Sequence, residues 1–466
     1  MSTTSGATGL VGPMRALFPG VTSAMQPARL PLALLAVLFI SAFAPIVDLA
    51  AGVRFGPRGF SGGAVSPSEV DLAYERARSA ASRVAAAEVA ALERPASADG
   101  ADLSPPRRPS LSELAAAVRE GAAARIAERS ASEGGVDPEA ERFMRSRAAD
   151  ALAAIAQAEP RGVATVFLDG ERAALRKCLG ALFALDPDAL LAGAVEAVFT
   201  LPAAAVRRAP VVFPLALLVA LCAISFLAGG LCRMAAVHAG RGARLGAREG
   251  ARFSRARWPH LVALPLLPAL AIGALALIVA LFAALIEVPV LNLISAGLFV
   301  VPLLVALLGA VLALVAIAGF PLMPAAVAVE ECDAGDAITR AGALVLARPL
   351  EWILLLVVSA AALALGGLVV EGALLLARSG VDGLLDLVAG PVGEAFASGE
   401  RHAVDALFGP DRLAAMAIGF WRRLFELLGS AYLFGLACDL ATRAYLSMRE
   451  RIDGESPATI AGCGVR

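Results

Sequence analysis

The chain has 466 residues, 59% of them hydrophobic and 17% charged, with a mean hydropathy of +0.75. That length suffices for one helical membrane domain plus a soluble domain of roughly 150 residues. A formal net charge of −1 excludes a strongly basic nucleic-acid binder, so no nucleic-acid partner is expected.

Lys177 is the one lysine among 40 basic residues, and with the alanine excess this points to a GC-rich bacterial gene. The six cysteines are scattered without a CxxC or Cys/His spacing, and His238, His260 and His402 are dispersed. No metal or other cofactor is expected, and no catalytic motif is found.

A helix rises 1.5 Å per residue and the hydrocarbon core is roughly 30 Å thick, so about 20 apolar residues make one crossing. The first apolar run, Leu30–Val47, follows Arg15 and Arg29. It reads as an uncleaved anchor or as a signal peptide cut after Ala42-Phe43-Ala44, where Pro45 would hinder processing. Residues 1–51 are thus a cytoplasmic N-terminus and a first span.

Residues 52–209 read as an extracytoplasmic helical insert. Tyr74, Ala77, Ala81 and Val84 recur at helical spacing after Val70, and weaker stripes follow at Leu111, Leu114 and Val118 and at Phe143, Leu152 and Ile155. Ala96–Pro109 reads as a linker, Val163–Leu168 as one short strand, and Asp186-Pro187-Asp188 as a helix start. The stripes are narrow and alanine-dominated. They fit weak helix packing or a helix that binds a protein partner.

Residues 210–448 hold five further spans, at 211–231, 261–286, 303–329, 352–376 and 424–448. Between the first two of these, seven arginines from Arg233 to Arg257 face the single Glu249, so the positive-inside rule makes this loop cytoplasmic. Counting outward, both termini are inside and residues 449–466 form a cytoplasmic tail. Asn292–Val301 reads as interfacial or re-entrant, and Pro321 and Pro324 should kink the third span of this group. Arg378–Phe420 reads as an external connection.

Charges inside spans are the default functional suspects. Asp48 ends the first span and Glu371 lies late in the fifth, whereas Asp439 and Arg443 stand at i, i+4 on the last. That pair reads as an intrahelical ion pair with Arg443 snorkelling, or as a polar lining of a pathway. On the cytoplasmic side, Asp333 and Asp336 open a short amphipathic helix with Arg340 one turn on and Ile338, Ala341 and Val345 as its apolar stripe. The basic stretch carrying Arg244, Arg248 and Arg252 is its counterpart, which pairs with that acidic start or binds anionic lipid headgroups.

Gly229-Gly230 and Arg233 before the basic stretch, Gly319 to Arg340 with Pro321, Pro324, Glu330, Asp333 and Asp336, then Arg348-Pro349 and the tail Tyr445–Gly454, are a recognisable set. Together they resemble a group of uncharacterised multi-spanning bacterial membrane proteins. More distantly, the region 201–454 is similar to the membrane domain found beside some glycerophosphodiester phosphodiesterases. The resemblance implies a membrane domain without catalytic residues, since a phosphodiesterase barrel needs about 250 soluble residues.

The expectation is therefore an all-α polytopic helical protein of the bacterial inner membrane, with about six transmembrane helices and a helical extracytoplasmic insert. Its expected role is non-enzymatic, as a scaffold or accessory component of an envelope or lipid-linked process. Transport or lipid translocation is the alternative, and a membrane-embedded enzyme a second one.

Overall fold

The computed structural model describes residues 19–24, 26–55, 67–93, 108–132, 138–159, 161–184, 186–286, 297–388 and 409–454, with single residues at 295, 392 and 407. It is an all-α polytopic architecture. Among the described residues the strands are the two-residue β1 (Arg54–Phe55) and β2 (Arg161–Gly162), paired antiparallel with Arg54 opposite Gly162 and Phe55 opposite Arg161.

A short helix, α1 (Pro19–Ala24), precedes α2 (Leu30–Ala51), which continues through Pro45 and stops at Gly52 with φ 65. Glycine suits that left-handed stop because it has no Cβ to clash. After β1 come α3 (Pro67–Val84), α4 (Ala86–Glu93), α5 (Leu111–Ser132) and α6 (Pro138–Ala158), which pack on one another as a separate helical bundle. Its core holds Tyr74, Ala77, Ala81, Val84, Leu114, Val118, Leu152 and Ile155, the residues of the expected stripes. Phe143 departs from that pattern: it is exposed, with the Arg147 guanidinium 4.8 Å over its ring. Most of the expected linker, residues 96–107, lies outside the described residues.

β2 leads directly into α7 (Val163–Ala184), so the short strand expected at Val163–Leu168 is instead the opening of a helix. The cause is tertiary. Asp48, at the end of α2, accepts hydrogen bonds from the Ala164 backbone N–H at 2.6 Å and the Thr165 backbone N–H at 3.2 Å, and also from the Thr165 hydroxyl. A carboxylate placed there satisfies orphan donors and the positive end of the helix dipole, which outweighs the β-branched local preference. Gly162 is required at this point, because a Cβ would overlap the Asp48 carboxylate.

Asp186 caps α8 (Pro187–Val195) as expected, accepting from the Asp188 and Ala189 N–H groups at 3.1 Å. A π-turn at Glu196–Thr200 joins α8 to α9 (Leu201–Arg208).

Then come α10 (Val212–Arg241), α11 (Ala247–Ala256), α12 (Trp258–Ile286), α13 (Val300–Gly319), α14 (Leu322–Glu330), α15 (Ala334–Ala347), α16 (Pro349–Val388) and α17 (Gly409–Asp453). The chain breaks at Phe320-Pro321 between α13 and α14, where the proline kink was expected. Of the segment expected to be re-entrant, residues 292–294 and 296 lie outside the described residues, and Val300-Val301 open α13. The 40 residues of α16 amount to roughly 60 Å, well beyond one crossing. So the expected loop Arg378–Phe420 is helical at both ends, where Arg422 meets Asp382 at 2.9 Å and Arg378 pairs with Glu426. Its middle, 389–391, 393–406 and 408, lies outside the described residues.

α10 is the hub of the membrane domain, packing on α2, α11, α12, α14 and α17. At its crossing with α11 the backbones touch: a Cβ on Gly230 would lie 2.8 Å from the Gly250 carbonyl oxygen. Small residues permit such approach between helices. Outward, α12 and α13 expose Leu270, Leu277, Leu281, Leu303, Leu307 and Leu314. A continuous apolar surface of this kind is untenable in water and natural in lipid.

Among the described residues seven helices are long and apolar enough to cross a membrane: 30–51, 187–208, 212–241, 258–285, 300–319, 349–384 and 410–453. Six of them match the expected spans. The additional one, Pro187–Arg208, falls inside the insert. Its return strand of helix, α7, carries Asp169, Glu171, Arg172, Arg176 and Lys177.

Candidate functional site

Apart from the pairs of Arg378 and Arg422 already described, the ion pairs of the membrane domain gather at the opposite end of the bundle. The N-terminal ends of α2 and α12 meet the C-terminal ends of α10, α14 and α17 there, and two clusters form.

The first cluster centres on Asp439, fully buried on α17. Its Oδ1 accepts from Arg29 Nη1 at 2.5 Å and its Oδ2 from Arg443 Nε at 2.6 Å. Arg29, 1% exposed, also donates to the Ser23 hydroxyl and the Met234 carbonyl, each at 3.4 Å. Helix α1 closes the site from one side: a Cβ on Gly20 would stand 2.8 Å from Asp439 Oδ2. Gln26 Nε2 and His238 Nε2 lie 3.4 Å apart beside it. One carboxylate thus holds two guanidiniums away from water, an arrangement that is costly to break because it strands a buried charge.

The second cluster surrounds the break between α14 and α15. Glu331 adopts φ 55, ending α14, and Asp333 then caps α15 by accepting from the Asp336 N–H at 2.8 Å. Glu331 receives Arg233 at 2.7 Å and Arg257 at 3.5 Å. Arg233 also donates to the Ala328 carbonyl at 2.8 Å and lies 5.3 Å over the Phe253 ring. Glu330 pairs with Arg340 and with Arg449 at 3.0 Å and accepts from the Tyr445 hydroxyl. Two adjacent glutamates therefore tie α10, the α11–α12 corner, α15 and α17 to one turn. Burial pushes the neighbouring Cys332 thiol up to about 11, so it stays protonated and is a weak nucleophile.

The expected pair Asp439 and Arg443 is brought together, but with Arg29 as a third member. Glu371 is exposed on α16 and takes no part. Asp333 and Asp336 form the expected cap, and Arg340 reaches Asp336 at 4.0 Å. Arg244, Arg248 and Arg252 are exposed on the basic stretch. From the loop after the second span, the arginines that meet the acidic turn are Arg233, which precedes the basic stretch, and Arg257, which ends it.

Sequence reading missed Arg29, Arg233, Glu330, Glu331, Tyr445 and Arg449 as site members. Arg29 looked like an ordinary flanking charge. The sequence does place its basic group directly before a span and Asp439 about two turns inside another, a pattern that admits a cross-helix pair. Among the described residues no three His, Cys, Asp or Glu side chains gather as a metal-holding group.

The fold and the clusters define an all-α membrane protein of several long apolar helices, held at one end by a buried charge network. No protein-family model matches the chain, and neither a curated protein nor a solved structure matches it.

Proposed function

We propose that the chain is a non-enzymatic inner-membrane component of a bacterium, a scaffold or accessory part of an envelope or lipid-linked process, holding the α3–α6 bundle outside the membrane. The supporting observation is where the charge goes. In the membrane domain the acidic groups at the Asp439 end, Asp439, Glu330 and Glu331, are each held by two arginines, the pairs of Arg378 and Arg422 stand at the other end of α16 and α17, and α12 and α13 carry no Asp, Glu, Lys or Arg.

The arginines from Arg233 to Arg257 put that end in the cytoplasm, with both termini inside. The exposed Arg244, Arg248 and Arg252 then face anionic lipid headgroups. The likeness read in residues 201–454 points the same way, since it implies a membrane half without catalytic residues. The α3–α6 bundle is the part offered to a protein partner.

Reconstituted alone into liposomes, the protein should leave solute gradients and lipid asymmetry intact. Purified from native membranes, it should carry a partner in fixed ratio that deletion of residues 67–158 removes. Flux or lipid scrambling by the isolated protein, reduced by Asp439→Asn, would overturn this reading. It would support the second one, transport or lipid translocation, which rests on the burial of Arg29, Asp439 and Arg443.

A further inference from the structure

The seventh long apolar helix poses a geometric problem. Val163 and Val166 at the start of α7 pack with Ala205 and Ala209 at the end of α9 and with Phe213 of α10. Ala164 packs with Ala44 and Val47 near the end of α2, beside Val212 and Ala216. Both ends of the α7–α9 hairpin are therefore rooted at the outer end of the bundle. A segment that leaves and returns at the same end crosses twice or not at all. Crossing twice would put Asp169, Glu171, Arg172, Arg176 and Lys177 of α7 into hydrocarbon, each at a cost of at least ~2.5–3.5 kcal/mol near the centre.

Yet α8 and α9 are not surfaced for water. Leu191, Val195, Val198, Phe199 and Val206 are exposed, at successive spacings of four, three, one and seven along a continuous helical rod. Gly193, Leu201 and Ala205 form the other face, buried toward α7, where Leu201 meets Gly170. Just beyond it Val211, the residue before α10, and Leu215 and Val219 on α10 are exposed as well. Arg207 and Arg208, both exposed, stand five and four residues before α10 begins, at the level where arginines snorkel to headgroups. Arg172, Arg176 and Lys177 are exposed on the companion helix.

We propose that the α7–α9 hairpin is a monotopic element lying in the outer leaflet. The α8–α9 stripe is sunk among acyl chains, and the charges of α7 are held at the headgroups. The occupant of this apolar face is lipid, as for amphipathic helices that bury one side at the acyl boundary. The exposed residues just beyond it on α10 are already lipid-facing, and both roots lie where α2 and α10 leave the membrane. The hairpin widens the footprint of the bundle on one leaflet only, whichever functional reading holds.

Spin labels placed singly by Val198→Cys, Phe199→Cys, Arg172→Cys and Arg176→Cys test this, with the six native cysteines changed to alanine. The whole chain is reconstituted into phosphatidylcholine–phosphatidylglycerol vesicles. The ratio of collisions with oxygen to collisions with a water-soluble nickel complex should be several-fold higher at 198 and 199 than at 172 and 176. Leu307→Cys on α13 gives the lipid value and checks insertion separately. Nickel access at all four hairpin positions would overturn the proposal in favour of a hairpin in water. Access by neither reagent at 198 and 199 would overturn it in favour of a protein cover. Lipid values at all four would overturn it in favour of two crossings.

Discussion

The α3–α6 bundle and the membrane domain solve opposite solvent problems with the same kind of helix. In the α3–α6 bundle charge stays on the surface, as where Arg78 pairs with Glu93 at 2.5 Å and Arg108 with Asp71 at 2.6 Å, and half of the buried core residues are alanine. In the membrane domain the outside is leucine and the charge moves in, to Asp439, Arg29 and Arg233. Exposed pairs in water contribute about 0–1 kcal/mol each, whereas removing one member of a buried pair is far more damaging. Charge is decoration in one region and architecture in the other.

The sharpest way to break that contrast is Asp439→Asn. It strands Arg29 and Arg443 and should lower stability by about 3–5 kcal/mol, read by denaturation in mild detergent. A loss as small as that of an exposed pair would mean that water reaches the triad. Leu114→Ala, in the core of the α3–α6 bundle, should cost roughly 2–5 kcal/mol through cavity formation. Circular dichroism melts should show that bundle weakened while the membrane domain keeps its transition; a shift in both would show that the regions fold as one.

At the junction, Asp48→Ala removes the acceptor of the first turn of α7 and should cost about 1–2 kcal/mol. Hydrogen exchange at Ala164 and Thr165 should quicken, with the α3–α6 amides unchanged. The mildest effect is expected at Glu171. Burial and the neighbouring Glu196 push its carboxyl from the ordinary 4.5 up to about 7. The folded hairpin thus keeps a proton that the unfolded chain releases near 4.5. Its stabilising effect is complete below that pH and is lost as pH rises through 7. Glu171→Gln should flatten this part of the pH profile of hairpin exchange; an unchanged profile would place the titration elsewhere.

The spans were legible because each is a statement about roughly 20 neighbouring residues, and lipid exposure makes hydropathy decisive. The caps at Asp186 and Asp333 were legible for the same local reason. What sequence reading could not see was pairing at a distance. Arg29 meets Asp439 across 410 positions, and Asp48 meets Ala164 across 116. The second contact also explains the misread strand at Val163–Leu168: a borrowed carboxylate made a helix start where the local residues prefer extension. Phe143 was placed inside by its spacing, yet lies outside against Arg147. In an alanine-rich helix one bulky residue is a poor guide to the buried face.

The two short strands carry a consequence of their own. Between Phe55 and Arg161 the polypeptide departs and comes back through partners that face each other in one ladder. For the helices in the bilayer, everything from 56 to 160 is therefore a closed excursion fastened at its neck. Any folded unit whose two ends lie side by side could be exchanged there without asking the membrane helices to move. The part of the chain beyond that neck is thus set apart from the helices that carry Arg29 and Arg233.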